Sequence, residues 1–259
     1  MMARSDEQPS AGLAARFAAT RALTLDLAAP LSDADATIQP HPDASPAKWH
    51  LAHTSWFFET FVLRDHVAGY RLHDERWPYL FNSYYEGEGD RHERARRGML
   101  SRPSLDEVRE WRLAVDRAVG AALPSLPADA LALVALGIEH EQQHQELFLT
   151  DILAALAENP LEPAYHAIDP APCFAVEPMA FLPGREGLVD VGSTGPSFDC
   201  ERPRHKALLH PHAIANRCVT NGEWIEFKEA GGYEQPTLWL SEGWEWVQRC
   251  KISAPGPSF

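Results

Sequence analysis

The sequence predicts an α+β protein, with a helical bundle at its N-terminal end and an incomplete α/β domain after it. Three observations support this prediction. Residues 11–160 are rich in strong helix formers, and apolar residues recur there every three or four positions. Prolines then cluster in residues 160–178, where they would interrupt any helix. Beyond residue 181, short β-prone segments alternate with Gly- and Pro-rich turns. We therefore predict a bundle (11–160), a linker (161–180) and a second domain (181–259).

Four stretches of the N-terminal part are predicted to be long helices. They cover residues 12–29, 45–64, 104–123 and 128–159. Ser45 can cap the second helix and Pro46 can open its first turn. Ser104 and Glu107 have the spacing of a capping box at the start of the third. Four amphipathic helices with one long connection are typical of a four-helix bundle. In the second domain, the composition predicts strands near 187–191 and 207–212 and a helix at 221–229.

Charge and apolar content argue against nucleic-acid-binding and membrane-associated functions. The formal net charge of −14 argues against binding to nucleic acid or to an anionic membrane surface, because both would repel the chain. No segment approaches the roughly 20 apolar residues of a membrane span, and residues 1–9 lack the features of a signal peptide. We therefore expect a cytoplasmic protein that acts on small molecules. The four cysteines form no CxxC pair, so reduced, mostly buried thiols are expected.

Two histidines in the fourth predicted helix have the spacing of metal ligands. His140 and His144 are four residues apart, so their imidazoles share one helix face. In the second helix, His53 falls on the apolar stripe that packs into the bundle. A single buried histidine is usually a hydrogen-bonded core residue. Facing helices of a bundle, however, often share a metal ion, so we predict a mononuclear site formed by all three histidines.

The same segment matches the HExxH pattern of zinc peptidases, with Glu141 as the general base. That alternative needs a third ligand, for which Glu162 is the candidate, and it leaves His53 without a role. Around the helix axis, the side chain of Glu141 lies about 100° from that of His140, whereas Gln143 lies within about 60° of the face that carries the two histidines. Gln143 is therefore the better substrate contact. Three neutral imidazoles leave coordination positions open, which suits catalytic zinc and ferrous iron alike.

The segments around these histidines resemble a known family. His53 lies in SPAKWHLAHTSWFFE, and the other two histidines lie in EHEQQHQE. Both segments resemble the DinB-like domain of the ergothioneine-biosynthesis sulfoxide synthases, the EgtB family. Residues 189–204, with FDCERP at 198–203, and VTN at 219–221 resemble the start of the domain that follows in that family. This second domain has the formylglycine-generating-enzyme (sulfatase-modifying-factor) fold, which is C-type-lectin-like. The resemblance covers nearly the whole chain.

In that family, an iron-dependent oxygenase uses O2 to join the thiol of cysteine or γ-glutamylcysteine to hercynine, a trimethylated histidine, as a sulfoxide. The ligands of Fe(2+) implied by the resemblance are His53, His140 and His144. Gln143 would contact the hercynine imidazole. Tyr84 and Tyr85, in LFNSYY, correspond to active-site tyrosines of one branch, which uses free cysteine. A phenol close to the metal can donate a proton or a hydrogen atom.

The end of the chain departs from the family pattern. Family members continue beyond residue 248, so we expect a truncated second domain and weak or absent turnover. Three functions therefore stay open at this point: an iron-dependent sulfoxide synthase, a zinc enzyme, or a non-catalytic metal-binding remnant. The zinc enzyme would be a DinB-like thiol transferase or an HExxH peptidase.

Overall fold

A computed structural model describes residues 9–167, 176–195 and 197–255, with side chains from residue 12 onward. Contacts between residues divide the chain into two compact units. The helical unit comprises Met1–Ala167 together with Ser193–Pro203, and the second unit comprises Ile168–Gly192 and Arg204–Phe259. The predicted α+β class is confirmed. The predicted domain limits at 160 and 181 remain predictions, and residues 168–175 of the predicted linker lie outside the described residues.

The helical unit is built from long helices, as the apolar periodicity predicts. Its helices, in chain order through the described residues, are α1 (Pro9–Ala28), α2 (Ala47–Phe58), α3 (Trp77–Phe81), α4 (Leu105–Ala122) and α5 (Ala128–Ala157). Helix α2 continues as a π-helix over Glu59–Arg64. Helix α5 packs against α1 and α2, and α2 also packs against α4. All twelve residues of α2 are buried, so α2 is the centre of the bundle.

The two predicted helix starts have different outcomes. The capping box of Ser104 and Glu107 is present at the start of α4. The prediction that Ser45 caps α2 was wrong, because Pro46 occupies the N-cap position and makes no side-chain cap bond. The Ser45 hydroxyl instead accepts a hydrogen bond of 2.9 Å from Nη1 of Arg97. A charged guanidinium is a stronger donor than a backbone amide, which explains the different use of this hydroxyl.

A glycine sets the distance between α2 and α5. A Cβ atom at Gly137 would lie 2.5 Å from Cε1 of Phe58 and 2.8 Å from Cε1 of Phe57, closer than real Cβ contacts allow. The absence of a side chain therefore lets α5 approach α2 closely at this point. His140 lies three residues further along, so it shares the face of Gly137 that meets α2.

The second unit contains two short antiparallel strand pairs. β1 (Phe181–Pro183) pairs with β4 (Ala213–Ala215), and β2 (Gly187–Val191) pairs with β3 (His205–Leu209). Two helices follow, α6 (Asn221–Glu229) and α7 (Ser241–Cys250). The predicted strand at 187–191 and the predicted helix at 221–229 are confirmed, whereas the segment predicted at 207–212 is a strand only as far as Leu209.

The expectation of buried thiols was wrong for the cysteines of the described residues. Cys200, Cys218 and Cys250 are all exposed and free, and Cys173 falls outside the described residues. The three lie in a 3-10 turn, in a loop and at the last position of α7, rather than on a packed face of an element. Within the described residues, no helix has both the length and the apolar composition of a bilayer-crossing segment.

Candidate metal centre

Helices α2 and α5 bring the three predicted histidines together. His53 comes from α2, and His140 and His144 come from successive turns of α5. One ring nitrogen from each lies within 4.8 Å of the others, a separation that one metal ion can bridge. The ring centroids are 4.6 to 5.0 Å apart. Spacing along one helix and packing between two helices thus produce a compact triad of imidazoles.

Hydrogen bonds show which nitrogens could bind a metal. Nδ1 of His53 lies 2.6 Å from the backbone carbonyl oxygen of Phe81. A carbonyl only accepts, so this Nδ1 carries the proton, and Nε2 keeps a free lone pair. Nδ1 of His140 is buried, and among the described residues it has no hydrogen-bond partner. The residues therefore fit a metal ion, which would satisfy buried nitrogens that protein groups leave open.

The environment keeps the triad neutral. Burial lowers the pKa of His140 to about 4. Burial also lowers the pKa of His53 and of His144 well below the usual range, and the neighbouring imidazoles lower both further. A metal ion binds only the neutral form of imidazole, so the triad is ready for a metal at neutral pH without first losing protons.

These pKa shifts predict an acid-sensitive metal-free protein. The folded-state pKa of each histidine lies below the unfolded value of about 6.5. Below that pH, the unfolded chain therefore binds more protons than the folded chain, and acid favours unfolding. We expect stability to be full above about pH 6.5 and to fall by up to about 1.4 kcal/mol per pH unit for each histidine. For His140 the loss should be complete below about pH 4. Urea unfolding at pH 7.5, 6 and 5 would measure this, and equal stabilities would contradict it.

An aromatic stack fixes the plane of the His53 ring. The ring lies between the indoles of Trp49 and Trp56, at centroid distances of 4.6 and 5.4 Å and interplanar angles of 12° and 16°. The guanidinium of Arg97 lies 3.4 Å from the ring centroid of Trp49, on a cation–π contact. Such stacking leaves the imidazole little freedom to rotate, so His53 presents Nε2 in one direction.

The carboxylate of Glu141 is bound by residues outside the triad. Glu141 is fully buried and paired with Arg21, at 2.9 Å, and with Arg112. Thr24 donates a further bond to it. Burial alone would raise the pKa of Glu141, but the two arginines outweigh it and lower the pKa. A carboxylate held in this way is not a general base at a metal. Glu162, the third ligand that a peptidase would need, is exposed beyond the end of α5.

Comparison with known families identifies the helical unit. Residues 16–148, about half of the chain, match the sequence profile of the DinB superfamily. The chain belongs to the DinB superfamily. The matched region contains all three histidines of the triad.

Curated relatives of the DinB chain confirm the predicted resemblance to the EgtB family. Proteins named hercynine oxygenase from Mycobacterium tuberculosis and Mycolicibacterium smegmatis are 34% and 32% identical to it, each over 94% of this chain and 56% of the relative. A third, from Mycolicibacterium thermoresistibile, is 32% identical over 88% of this chain and 50% of the relative. The chain thus spans about half the length of the curated relatives that it matches.

Of the other predicted site residues, Tyr85 lies near the triad, whereas Tyr84 and Gln143 are exposed. Tyr85 contacts the triad region, with ring centroids 6.5 Å from His53 and 5.3 Å from Trp56. Burial raises the pKa of Tyr85, so its phenol stays protonated at neutral pH. Tyr84 is 71% exposed, and its hydroxyl accepts a bond of 2.6 Å from Arg94, so the structure does not bring it to the triad. Gln143 is exposed on α5.

A cavity of about 690 Å³ opens beside the DinB triad. His140 and Tyr85 form part of its wall. Phe198, Asp199 and Arg202, from the Ser193–Pro203 segment of the same unit, form another part. The cavity is large enough for a small-molecule substrate and reaches one of the candidate ligands.

Two residues that contribute to the site were missed by the sequence analysis. Nδ1 of His50 lies 2.9 Å from Nδ1 of His144, and Nε2 of His50 lies 3.0 Å from Oδ2 of Asp151. A usable signal existed in the sequence. His50 precedes His53 by three residues, and Asp151 follows His144 by seven, so each shares a helix face with a ligand.

Proposed function

We propose that this chain carries the metal centre of a hercynine oxygenase, with Fe(2+) bound by His53, His140 and His144. The observation that supports the proposal is the convergence of three neutral imidazoles in a chain 34% identical to a hercynine oxygenase. Iron, when bound, would supply the one-electron chemistry that O2 requires. The burial of Glu141 between two arginines argues against the peptidase alternative.

The proposed substrates are hercynine, O2 and the thiol of cysteine or γ-glutamylcysteine. The new bond joins the thiol sulfur to C2 of the hercynine imidazole, and the C–H and S–H bonds break. One oxygen atom goes to the sulfoxide, and the other leaves as water with the two hydrogens. O2 is thereby reduced by four electrons, two from formation of the C–S bond and two from oxidation of sulfur. Small molecules in the cytoplasm are the proposed partners.

We assign Gln143 and Tyr85 to the organic substrates. Gln143 is exposed on the helix that carries two ligands, and its amide can both donate to and accept from an imidazole. Tyr85 and His140 both line the cavity. A phenol that stays protonated can give its proton or hydrogen atom to a substrate in that cavity.

The adjacent tyrosines provide a matched test of this assignment. Tyr85→Phe should lower the rate of sulfoxide formation by about 100-fold or more, the usual contribution of a positioned acid. Tyr84→Phe should change it by less than about threefold, because the Tyr84 side chain lies in solvent and bonds Arg94. Product formation would be followed by chromatography with the iron content of each variant measured. Equal losses in both variants would contradict the assignment of Tyr85.

The function itself is tested by oxygen uptake. The chain would be reconstituted anaerobically with Fe(II) and then mixed with O2, with and without hercynine plus cysteine or γ-glutamylcysteine. We expect uptake that needs hercynine and a thiol, that is lost in His144→Ala, and that is absent from the zinc-loaded chain. Stoichiometric iron binding without such uptake would overturn the oxygenase proposal. Thiol transfer by the zinc-loaded chain without O2 would favour the zinc enzyme.

A further inference from the structure

A fourth histidine, His50, is buried next to the triad. His50 is 2% exposed and precedes His53 by three residues on α2. Both of its ring nitrogens are used: Nδ1 lies 2.9 Å from Nδ1 of His144, and Nε2 lies 3.0 Å from Oδ2 of Asp151. The same carboxylate oxygen accepts a bond of 2.8 Å from the backbone amide of Ser45. A continuous chain therefore runs from a candidate ligand through His50 to a carboxylate.

The direction of each hydrogen bond follows from the chemistry of its groups. An ionised carboxylate can only accept, so Nε2 of His50 carries a proton. In a neutral imidazole the other nitrogen is then an acceptor, and Nδ1 of His50 has its lone pair directed at His144. Nδ1 of His144 must therefore be the donor. The Nε2 atom of His144 is left unprotonated, which is the state that a metal ligand needs.

We propose that His50 and Asp151 are positioning residues that hold His144 in its Nδ1–H form, with Nε2 directed at the metal. The inference rests on the proposed metal centre. At His53 the Phe81 carbonyl oxygen has the corresponding role, at 2.6 Å from Nδ1. A carbonyl is neutral, whereas the outer partner of His144 ends in the carboxylate of Asp151, so the two candidate ligands are supported by groups of different charge.

Metal affinity gives the first test. We would titrate the metal-free chain and its variants with Co(II), whose visible absorption reports ligand geometry. His50→Leu should lower the affinity by about 10- to 100-fold, as expected for loss of an outer partner of a ligand. His50→Gln should restore part of it, because its amide oxygen can accept from Nδ1 of His144. Asp151→Asn keeps the size of the side chain and should weaken binding by about 10-fold through loss of charge.

The matched control is Glu158→Gln, which removes one exposed carboxylate just beyond the last turn of α5. It should leave the affinity and the Co(II) spectrum unchanged. If His50 only stabilised the fold, its variants would have lower melting temperatures in the metal-free state. Their metal affinities would then not fall in the order wild type, His50→Gln, His50→Leu. Equal affinities and spectra in all folded variants would overturn the inference.

The protonation state of His144 gives a second test that needs no metal. In the metal-free chain with ¹⁵N-labelled histidine, long-range ¹H–¹⁵N spectra distinguish the Nδ1–H and Nε2–H forms. We expect His144 in the Nδ1–H form in the wild type and a shift toward the Nε2–H form in His50→Leu. Observation of the Nε2–H form in the wild type would overturn the inference. Failure of the wild type to bind Co(II) would count against the proposed metal centre instead, and the spectra would still decide the role of His50.

Discussion

Replacement of Glu141 by glutamine should destabilise the protein by about 3–5 kcal/mol, the usual cost of removing one partner from a buried ion pair. Glu141 is fully buried between Arg21 and Arg112, and a neutral amide would leave the positive charge of both guanidiniums poorly compensated. The carboxylate of Asp116 would remain, with Oδ1 at 2.5 Å from Nε of Arg21, as the other carboxylate bonded to the two arginines. Urea unfolding of the metal-free chain at pH 7.5 would measure the change in the free energy of unfolding.

The same helix provides the control. Glu139→Gln removes an ion pair with Arg16 that is partly exposed on both sides, so the expected loss is at most about 1 kcal/mol. If Glu141 were instead the general base of a peptidase, Glu141→Gln would abolish activity with little effect on stability. A loss below about 1 kcal/mol in Glu141→Gln would therefore contradict a structural role for this carboxylate.

Removal of a triad histidine should abolish stoichiometric metal binding. Both His53→Ala and His144→Ala leave two imidazoles, and we expect a loss of affinity larger than the about 10- to 100-fold typical of outer partners. Isothermal titration with Co(II) and with Fe(II) under anaerobic conditions would measure it. His166→Ala is a suitable control, because His166 is exposed and lies outside the triad.

Comparison of His53→Ala with Glu162→Gln separates the possible ligand sets. An HExxH site would use His140, His144 and Glu162, so His53→Ala would spare it and Glu162→Gln would weaken it. The triad geometry predicts the opposite pattern, because Glu162 is exposed beyond the end of α5 and His53 is buried beside the other two histidines. Wild-type affinity in His53→Ala would contradict the proposed centre.

The parts of the structure that depend on local spacing could be predicted from the sequence. Apolar periodicity located the long helices, and the four-residue spacing of His140 and His144 placed both imidazoles on one face of α5. The apolar stripe of α2 directed His53 toward them. Rotation around the helix also separated Glu141 from the ligand face, and the structure pairs it with arginines of α1 and α4.

The parts that depend on competition between distant groups could not be predicted. Serine is a favourable N-cap residue, yet the Ser45 hydroxyl accepts a hydrogen bond from Arg97 instead. Tyr84 and Tyr85 are adjacent and chemically identical, and only packing decides which ring lies near the triad. The link from His144 to His50 joins residues 94 positions apart. Their alignment requires the close approach of α2 and α5, and a single sequence does not specify helix separation.

The helical unit consists of two separate segments of the chain, and the family match covers residues of the first segment only. The DinB match ends at residue 148, whereas part of the cavity wall comes from Phe198, Asp199 and Arg202. The three histidines proposed to bind the metal thus lie inside the matched region, while residues that line the cavity beside them lie outside it. We therefore expect substitutions in this short distant segment to change the shape of the cavity while leaving the three histidines in place.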